Sequence, residues 1–241
     1  MNSFEITAVV TFHREGLMAH RSLGSIIRCC RYAELLGITT QVFAVLDDAD
    51  EETRRVIQEH PALRQQDQTF DLSFGDVALS RNYAIRESKS KYVAIIDGDD
   101  HVSPNWLGAA FLRATKAGGA SIVHPQTIVS FGATSIVRYQ PDQIIVKIDK
   151  ARLLMSNLWN VCAFGPRELF IDVPYVSTGK KDSGFGFEDW HWNCETVASG
   201  YLHVTALHTV YFERHKSSGS LNRVHQQAGA VIRSSRLFRQ L

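Results

Sequence analysis

The chain lacks an excess of either charge, a paired-cysteine framework and any long apolar run, and each absence closes off a class of protein. Its 241 residues carry 26 Lys plus Arg against 25 Asp plus Glu, a net charge of +1. That balance gives no surface-wide attraction for nucleic acid. No apolar run approaches the roughly 20 residues that span a bilayer. The opening MNSFEITAVV has no basic segment leading into an apolar core, so it reads as a start without a signal peptide. Cys29, Cys30, Cys162 and Cys194 form no CxxC pair. They read as reduced, partly buried thiols of a cytoplasmic protein, not as a disulfide or metal framework. There is no internal repeat and no low-complexity linker. The 44% apolar content suits a globular protein with a sizeable core.

The first half alternates strand-like and helix-like stretches. EITAVVTF (5–12) and TTQVFAVL (39–46) are apolar, β-branched runs. Between them GSIIRCCRYAELLG puts Ile26, Cys30, Ala33 and Leu36 near one helical face, with Gly37 as its stop. DEETRRVIQEH is a charged surface helix ended by Pro61. A short strand at 69–72, a helix through VALSRNYAIRES, a strand at 92–96 and a helix starting near Pro104 complete the pattern. Such alternation predicts an α/β fold with a doubly wound, mostly parallel sheet. Ligands then bind beyond the carboxyl ends of the strands, where residues 11–14, 47–48 and 97–100 fall.

The second half reads differently. ASIVHPQTIVSF and ATSIVRYQ suggest a hairpin around Gly132, NVCAFG a short strand, and PRELFID a helical turn. Residues 142–155 carry only a weak signal. KKDSGFGF is polar and glycine-rich, so the stretch 177–186 is expected to act as a mobile lid. EDWHWNCETVASG is a helix closed by Gly200, and YLHVTALHTVYFERH is a strand in which His203 and His208 are structural. LNRVHQQAGAVIRSSRLFRQL holds four Arg and no acid. It is read as a C-terminal helix docked on the domain, the alternative being a membrane-surface contact.

Two stretches carry chemistry. YVAIIDGDD sets Asp97, Asp99 and Asp100 directly after a buried strand. Carboxylates so close repel unless a cation joins them. A D-x-D pair of hard oxygens suits Mg²⁺ or Mn²⁺ completed by phosphate oxygens. The plain rival is an acidic turn capping the next helix. In SGFGFEDWHW, Glu188 and Asp189 begin a helix after a glycine-rich loop, where acids also simply complement the helix dipole. Adjacent helical residues diverge, so one carboxylate faces a cleft, and at most one of Trp190 and Trp192 lines it. An aromatic setting raises a carboxylate towards the range of a useful general base.

In order along the chain, VVTFHRE, VLDDAD, LSRNYAIRESKSKYVAIIDGDD, GFEDWHW and YFERHKSSGS together resemble the landmarks of an inverting glycosyltransferase of family 2. His13 stands where that family usually has Asn, and LDDAD lacks the usual Gly-Ser. The resemblance implies a single GT-A-like domain over residues 1–220, with a nucleotide-binding N-terminal half and an acceptor-binding C-terminal half. Residues 221–241 follow as a basic helix or tail. It implies nucleotide contacts from Thr11, His13, Arg14, Asp47, Asp48, Arg81, Asp97, His215 and Lys216. Asp97 and Asp99 would bind Mn²⁺ or Mg²⁺, and Asp100 and Trp190 would face donor sugar or acceptor. Asp189 would be the base, with Glu188 its helper or a structural cap. The implied partners are a nucleotide-sugar donor, by resemblance UDP-linked, and a saccharide or lipid-linked acceptor of bacterial-type polysaccharide or glycoconjugate synthesis. The implied location is cytoplasmic, with the C-terminal tail as the candidate contact to the inner face of a membrane. Two rivals remain: a haloacid-dehalogenase-like phosphatase, whose strand-end D-x-D IIDGDD also resembles, and a sugar-nucleotide-binding module without catalysis.

Overall fold

In the computed structural model of the chain, which describes residues 4–118, 121–179, 183–217 and 221–240, the two most apolar stretches become neighbours. β1 (Ile6–Phe12) and β2 (Thr40–Asp47) pair in parallel from Ile6↔Thr40 to Phe12↔Leu46. Every β2 residue is buried, as expected of a strand covered on both faces. Along β1, Ala8, Val10 and Phe12 join one core cluster and Val9 the other, following the two-residue alternation of a strand. The first cluster packs under α1 (Leu17–Leu35), the second under α3 (Val77–Glu87). β3 (Gln68–Leu72) extends the sheet beyond β2, and β4 (Tyr92–Asp97) pairs with β1 on the other side. The edge helix α2 (Glu51–Gln58) begins at an Asp50 side chain that accepts from the Thr53 amide.

The sheet runs β3-β2-β1-β4-β8-β6-β9-β5, with β7 on β6. Its other members are β5 (His101–Val102), β6 (Ser121–Gly132), β7 (Val137–Tyr139), β8 (Ala163–Pro166) and β9 (Leu202–His215). β1 to β4, β6 and β9 share one direction, and β5, β7 and β8 oppose it. The expected mostly parallel α/β sheet is therefore present, with the reversals gathered in the second half. The remaining helices are α4 (Trp106–Lys116), α5 (Arg167–Asp172), α6 (Glu188–Ala198) and α7 (Leu221–Gln227), with 3-10 turns at Lys150–Leu154 and Arg236–Arg239.

The hairpin about Gly132 forms, with Thr127↔Tyr139 to Val129↔Val137 in register. Gly132 has φ 93°, and a Cβ there would lie 2.6 Å from the His215 carbonyl oxygen. Glycine alone tolerates both. His203 is structural: its Nδ1 lies 2.9 Å from His124 Nε2, and its Nε2 lies 2.9 Å from the Thr196 hydroxyl. Burial lowers His124 to about 3, so this pair is neutral.

Some expectations need correction. α1 begins at Leu17, not at Gly24. Gly24 is interior to the helix, and a Cβ there would make only ordinary contact with Arg28 and His60. The four thiols are fully buried. Cys29, far from facing solvent, accepts from the Leu107 amide at 3.2 Å, because α4 covers that side of α1. The C-terminal stretch is not one helix. Gly229, at φ 62°, closes α7, Val231 bridges to Phe185, and Leu237 is buried beside Trp159 and Cys194. Arg236 binds Glu195 at 2.6 Å. Of the expected lid, residues 180–182 lie outside the described residues, as do 218–220 of the closing motif.

Candidate active site at the strand ends

β1 and β4 finish side by side, Thr11 opposite Asp97. The Gly98 amide donates to the Thr11 carbonyl at 2.9 Å. A Cβ on Gly98 would come within 2.5 Å of that oxygen and 2.3 Å of Phe12. The glycine inside D-x-D is thus required by the close approach of β1, which turns the acidic loop over the strand ends.

The three aspartates then part company. Asp97 accepts from Arg81 Nη2 at 2.7 Å. Asp99 accepts from Lys216 Nζ at 2.8 Å. Asp100 is buried, with its oxygens taken by the Tyr211 hydroxyl at 2.6 Å and the Arg214 amide. Burial, then Asp99 and Asp97, push Asp100 well above the usual carboxylate range. It braces β9 against the loop and presents no free oxygen to a sugar. Burial also raises Asp97, against the pull of Arg81.

Arg81 joins the two halves of the site. It is 2% exposed, and its other nitrogen, Nη1, donates to Glu188 at 2.8 Å. α3 holds it in place through Asp76, which accepts from the Ala78 and Leu79 amides, and through Asn82, which exchanges bonds with the Tyr175 backbone at 2.7 and 3.0 Å. The guanidinium lies 5.3 Å from the Tyr175 ring centre. A fork between two carboxylates is a geometry only Arg supplies.

Glu188 and Asp189 diverge at the start of α6. Asp189 accepts from Asn157 Nδ2 at 2.9 Å, and Asn157 in turn accepts from Asn193 at 2.8 Å. Burial and the neighbouring Glu188 charge, partly offset by Arg81, push the Asp189 carboxyl up to about 7. That value lets it take a proton near neutral pH. Phe187, just before the pair, has φ 58°, a strained conformation for a side-chain-bearing residue. Its amide donates to His225 Nδ1 at 3.3 Å, and its ring meets the edges of Trp190 and His225. Trp190 donates its indole N–H to the Leu153 carbonyl at 2.7 Å and packs with Leu153, Trp159 and Leu237. Trp192 is core, stacked on Phe170 and Tyr175.

At the β2 end, Asp47 accepts from the Phe74, Gly75 and Asp76 amides at 2.7 to 3.0 Å. His13 Nδ1 donates to the Asp47 carbonyl at 2.7 Å. Asp48 is exposed at φ 46°. Asp47 therefore shapes the loop before α3, leaving Asp48, Thr11 and the His13 ring edge at the mouth. Arg14, Glu15, Arg214, His215 and Lys216 line a cleft of about 490 Å³. His215 is held by Thr134 at 2.6 Å and Glu213 at 3.0 Å. Its cations outnumber its one acid, which suits a phosphate-bearing ligand.

Among the described residues no group of three or more His, Cys, Asp or Glu could hold a metal alone. Asp97 and Asp99 fit Mg²⁺ or Mn²⁺ as two hard oxygens of a shell that phosphate oxygens complete. Each is balanced here by a side-chain cation, so a metal would take Asp99 from Lys216.

Sequence reasoning missed Asn157, Glu15, Tyr175 and Tyr211. Glu15 lies 3.9 Å from Lys216, and burial raises its carboxyl. Its only signal was adjacency to His13 and Arg14. Asn157 and Tyr175 sit in irregular stretches that carry no periodicity.

The sequence model of glycosyl transferase family 2 matches residues 7–173. No curated protein sequence matches the chain. Among solved structures, it is similar to Staphylococcus aureus TarS 1–349 in complex with UDP-GlcNAc, with a TM-score of 0.68 and 12% identity over 90% of this chain and 60% of that one. It is also similar to the mannosyltransferase PcManGT from Pyrobaculum calidifontis in complex with GDP-Man and Mn²⁺, with a TM-score of 0.60 and 16% identity over 91% and 59% of the two chains. GalNAc-T7 with UDP, GalNAc and Mn²⁺ gives 0.61 and 15% over 90% and 44%. At these identities the likeness shows the fold alone. The chain spans about three fifths of the TarS segment's length.

Proposed function

The chain belongs to glycosyl transferase family 2, and from that premise we propose that it moves a sugar from a nucleotide diphosphate, a UDP-sugar, to an acceptor hydroxyl with inversion. The observation that carries this reading is the Arg81 fork, which joins a strand-end carboxylate, Asp97, to the helix start bearing Asp189. Thr11, His13, Arg14 and Asp48 form the base and ribose side, and Asp47 shapes the loop behind them. Two of the similar structures hold Mn²⁺ and two hold UDP or a UDP-sugar, which supports the choice of metal and nucleotide. A divalent ion on Asp97 and Asp99 would neutralise charge on the departing diphosphate.

The chain's own groups do the rest. Asp189, oriented by the Asn157 bond to its Oδ2, takes the acceptor's proton. The freed oxygen attacks the anomeric carbon from the face opposite the diphosphate. The bond to the diphosphate breaks, and its electron pair stays on the phosphate oxygen. With a divalent ion on Asp99, Lys216 would be free to face that charge, while His215 lines the same cleft with its ring held by Thr134 and Glu213. Glu188 is committed to Arg81 and holds the helix start in place, and Asp100 braces the loop.

The test is a panel of nucleotide sugars incubated with Mn²⁺ and Mg²⁺. Slow metal-dependent hydrolysis of one UDP-sugar is expected. Phosphate release from simple phosphomonoesters, with no response to nucleotides, would instead identify a phosphatase. UDP binding with no turnover of any donor would identify a binding module.

A further inference from the structure

The segment from Asp142 to Asn157 is fastened inward at intervals. Asp142 is buried and accepts from Arg113 at 3.0 Å. Ile148 and Leu153 join the cluster containing Trp159 and Leu237, and Asn157 bonds to the base Asp189. Most of the residues between these anchors that turn outward are apolar or basic. Ile145 is 71% exposed and Met155 85%, and Ile144, Val146 and Leu154 are exposed beside them. Exposed apolar groups this concentrated mark a contact surface. Lys147, Lys150 and Arg152 are exposed in the same segment, and none of them appears in an ion pair among the described residues. The one acid among them, Asp149, is spent on capping the Ala151 amide at 3.0 Å.

We propose that this surface docks on an anionic phospholipid bilayer, and that docking, through the Asn157–Asp189 bond, sets Asp189 towards an acceptor carried in the membrane. Interleaved apolar and unpaired basic residues match an interface with an apolar interior and anionic headgroups. A protein partner of neutral or basic character would leave the three cations uncompensated. The consequence for the acceptor rests on the role given to Asp189, whereas the docking itself does not. Among the described residues no helix is long and apolar enough to cross a membrane.

The experiment is sedimentation of the full chain with vesicles of phosphatidylcholine, with and without one third phosphatidylglycerol, in the absence of donor. Binding to the anionic vesicles alone, weakened by salt, is expected. The triple variant Lys147→Glu, Lys150→Glu, Arg152→Glu should weaken binding by about 100-fold, each basic group near such a surface contributing several-fold. Ile145→Ser with Met155→Ser should weaken it by about ten-fold or more, with the UDP-induced thermal shift unchanged as the check on folding. Absence of binding, or equal binding by parent and variants, overturns the proposal. A self-associated parent that becomes monomeric in Ile145→Ser with Met155→Ser also overturns it, by making this a contact between copies. Vesicle binding without hydrolysis of any nucleotide sugar would leave docking intact and refute the transferase reading alone.

Discussion

The two halves of the sheet hold their functional groups by different means. In the first, Asp47 and Asp97 end parallel strands and Asp99 follows directly, so the ladder β3-β2-β1-β4 fixes where they emerge. In the second, Asp189 begins a helix after irregular chain, and Lys216 follows a 14-residue strand. Their positions depend on side-chain bonds to residues far away in sequence: Arg81 to Glu188, Asn157 to Asp189, Lys216 to Asp99. The strand-end carboxylates are therefore placed by backbone, and Glu188, Asp189 and Lys216 are tied in by a few side-chain bonds. Single substitutions should misplace those tied-in groups while sparing the strand-end scaffold.

The harshest test of that contrast is Arg81→Gln. It strands Asp97 and Glu188 without their shared cation, and breaking a buried pair in this way costs ~3–5 kcal/mol. Urea unfolding should show that loss. A change below ~1 kcal/mol would mean the halves are not joined through Arg81.

Asp189→Asn should act in the opposite direction on stability. The folded carboxyl titrates at about 7, above the ordinary value of ~4. Below pH ~4 both folded and unfolded forms are protonated, and the substitution changes little. Between ~4 and ~7 the unfolded chain gives up the proton first, so the native acid progressively penalises folding. At pH 8 the Asn variant should be more stable by ~1–3 kcal/mol, and at pH 4 the gain should vanish. Paired thermal melts at the two values decide it; a gain at low pH only would reverse the sign of the shift.

Asn157→Ala should be milder, about ten-fold in kcat with KM for donor unchanged, because it loosens the base without touching the nucleotide. Loss of a donor to the ionised form also raises the base's pKa. The acid limb of the kcat profile should move up in pH. An unmoved limb with a lower kcat would give Asn157 a packing role only.

The same division explains what could be read in advance. The parallel half was legible because each strand is a continuous buried run and each carboxylate follows one directly, as Asp97 follows Ile96. β5 escaped because two residues show no period, yet its pairing of His101 with Phe212 brings Asp100 under Tyr211 and Arg214. From sequence, Asp100 was expected to face the donor sugar or acceptor, and that pairing instead engages its oxygens with Tyr211 and Arg214. Trp190 was expected to face donor sugar or acceptor and Trp192 to be core; the N–H partners that fix both rings, the Leu153 and Val173 carbonyls, lie in stretches whose sequence carries little pattern. Asn157 was invisible because its meaning lies in bonds to Asp189 and Asn193, more than 30 residues away.

The central claim is that metal-dependent donor binding and proton removal rest on separable carboxylates, Asp99 and Asp189. UDP titrations in the presence of Mn²⁺ on Asp99→Asn and Asp189→Asn, set beside the parent, test it most directly. Asp99→Asn should lose metal-dependent UDP binding, since an amide does not replace an anionic ligand of a hard cation. Asp189→Asn should bind UDP as the parent does while losing transfer by ~10²–10⁴-fold. Equal loss of UDP affinity in both variants, or full metal-dependent binding by Asp99→Asn, would contradict the account.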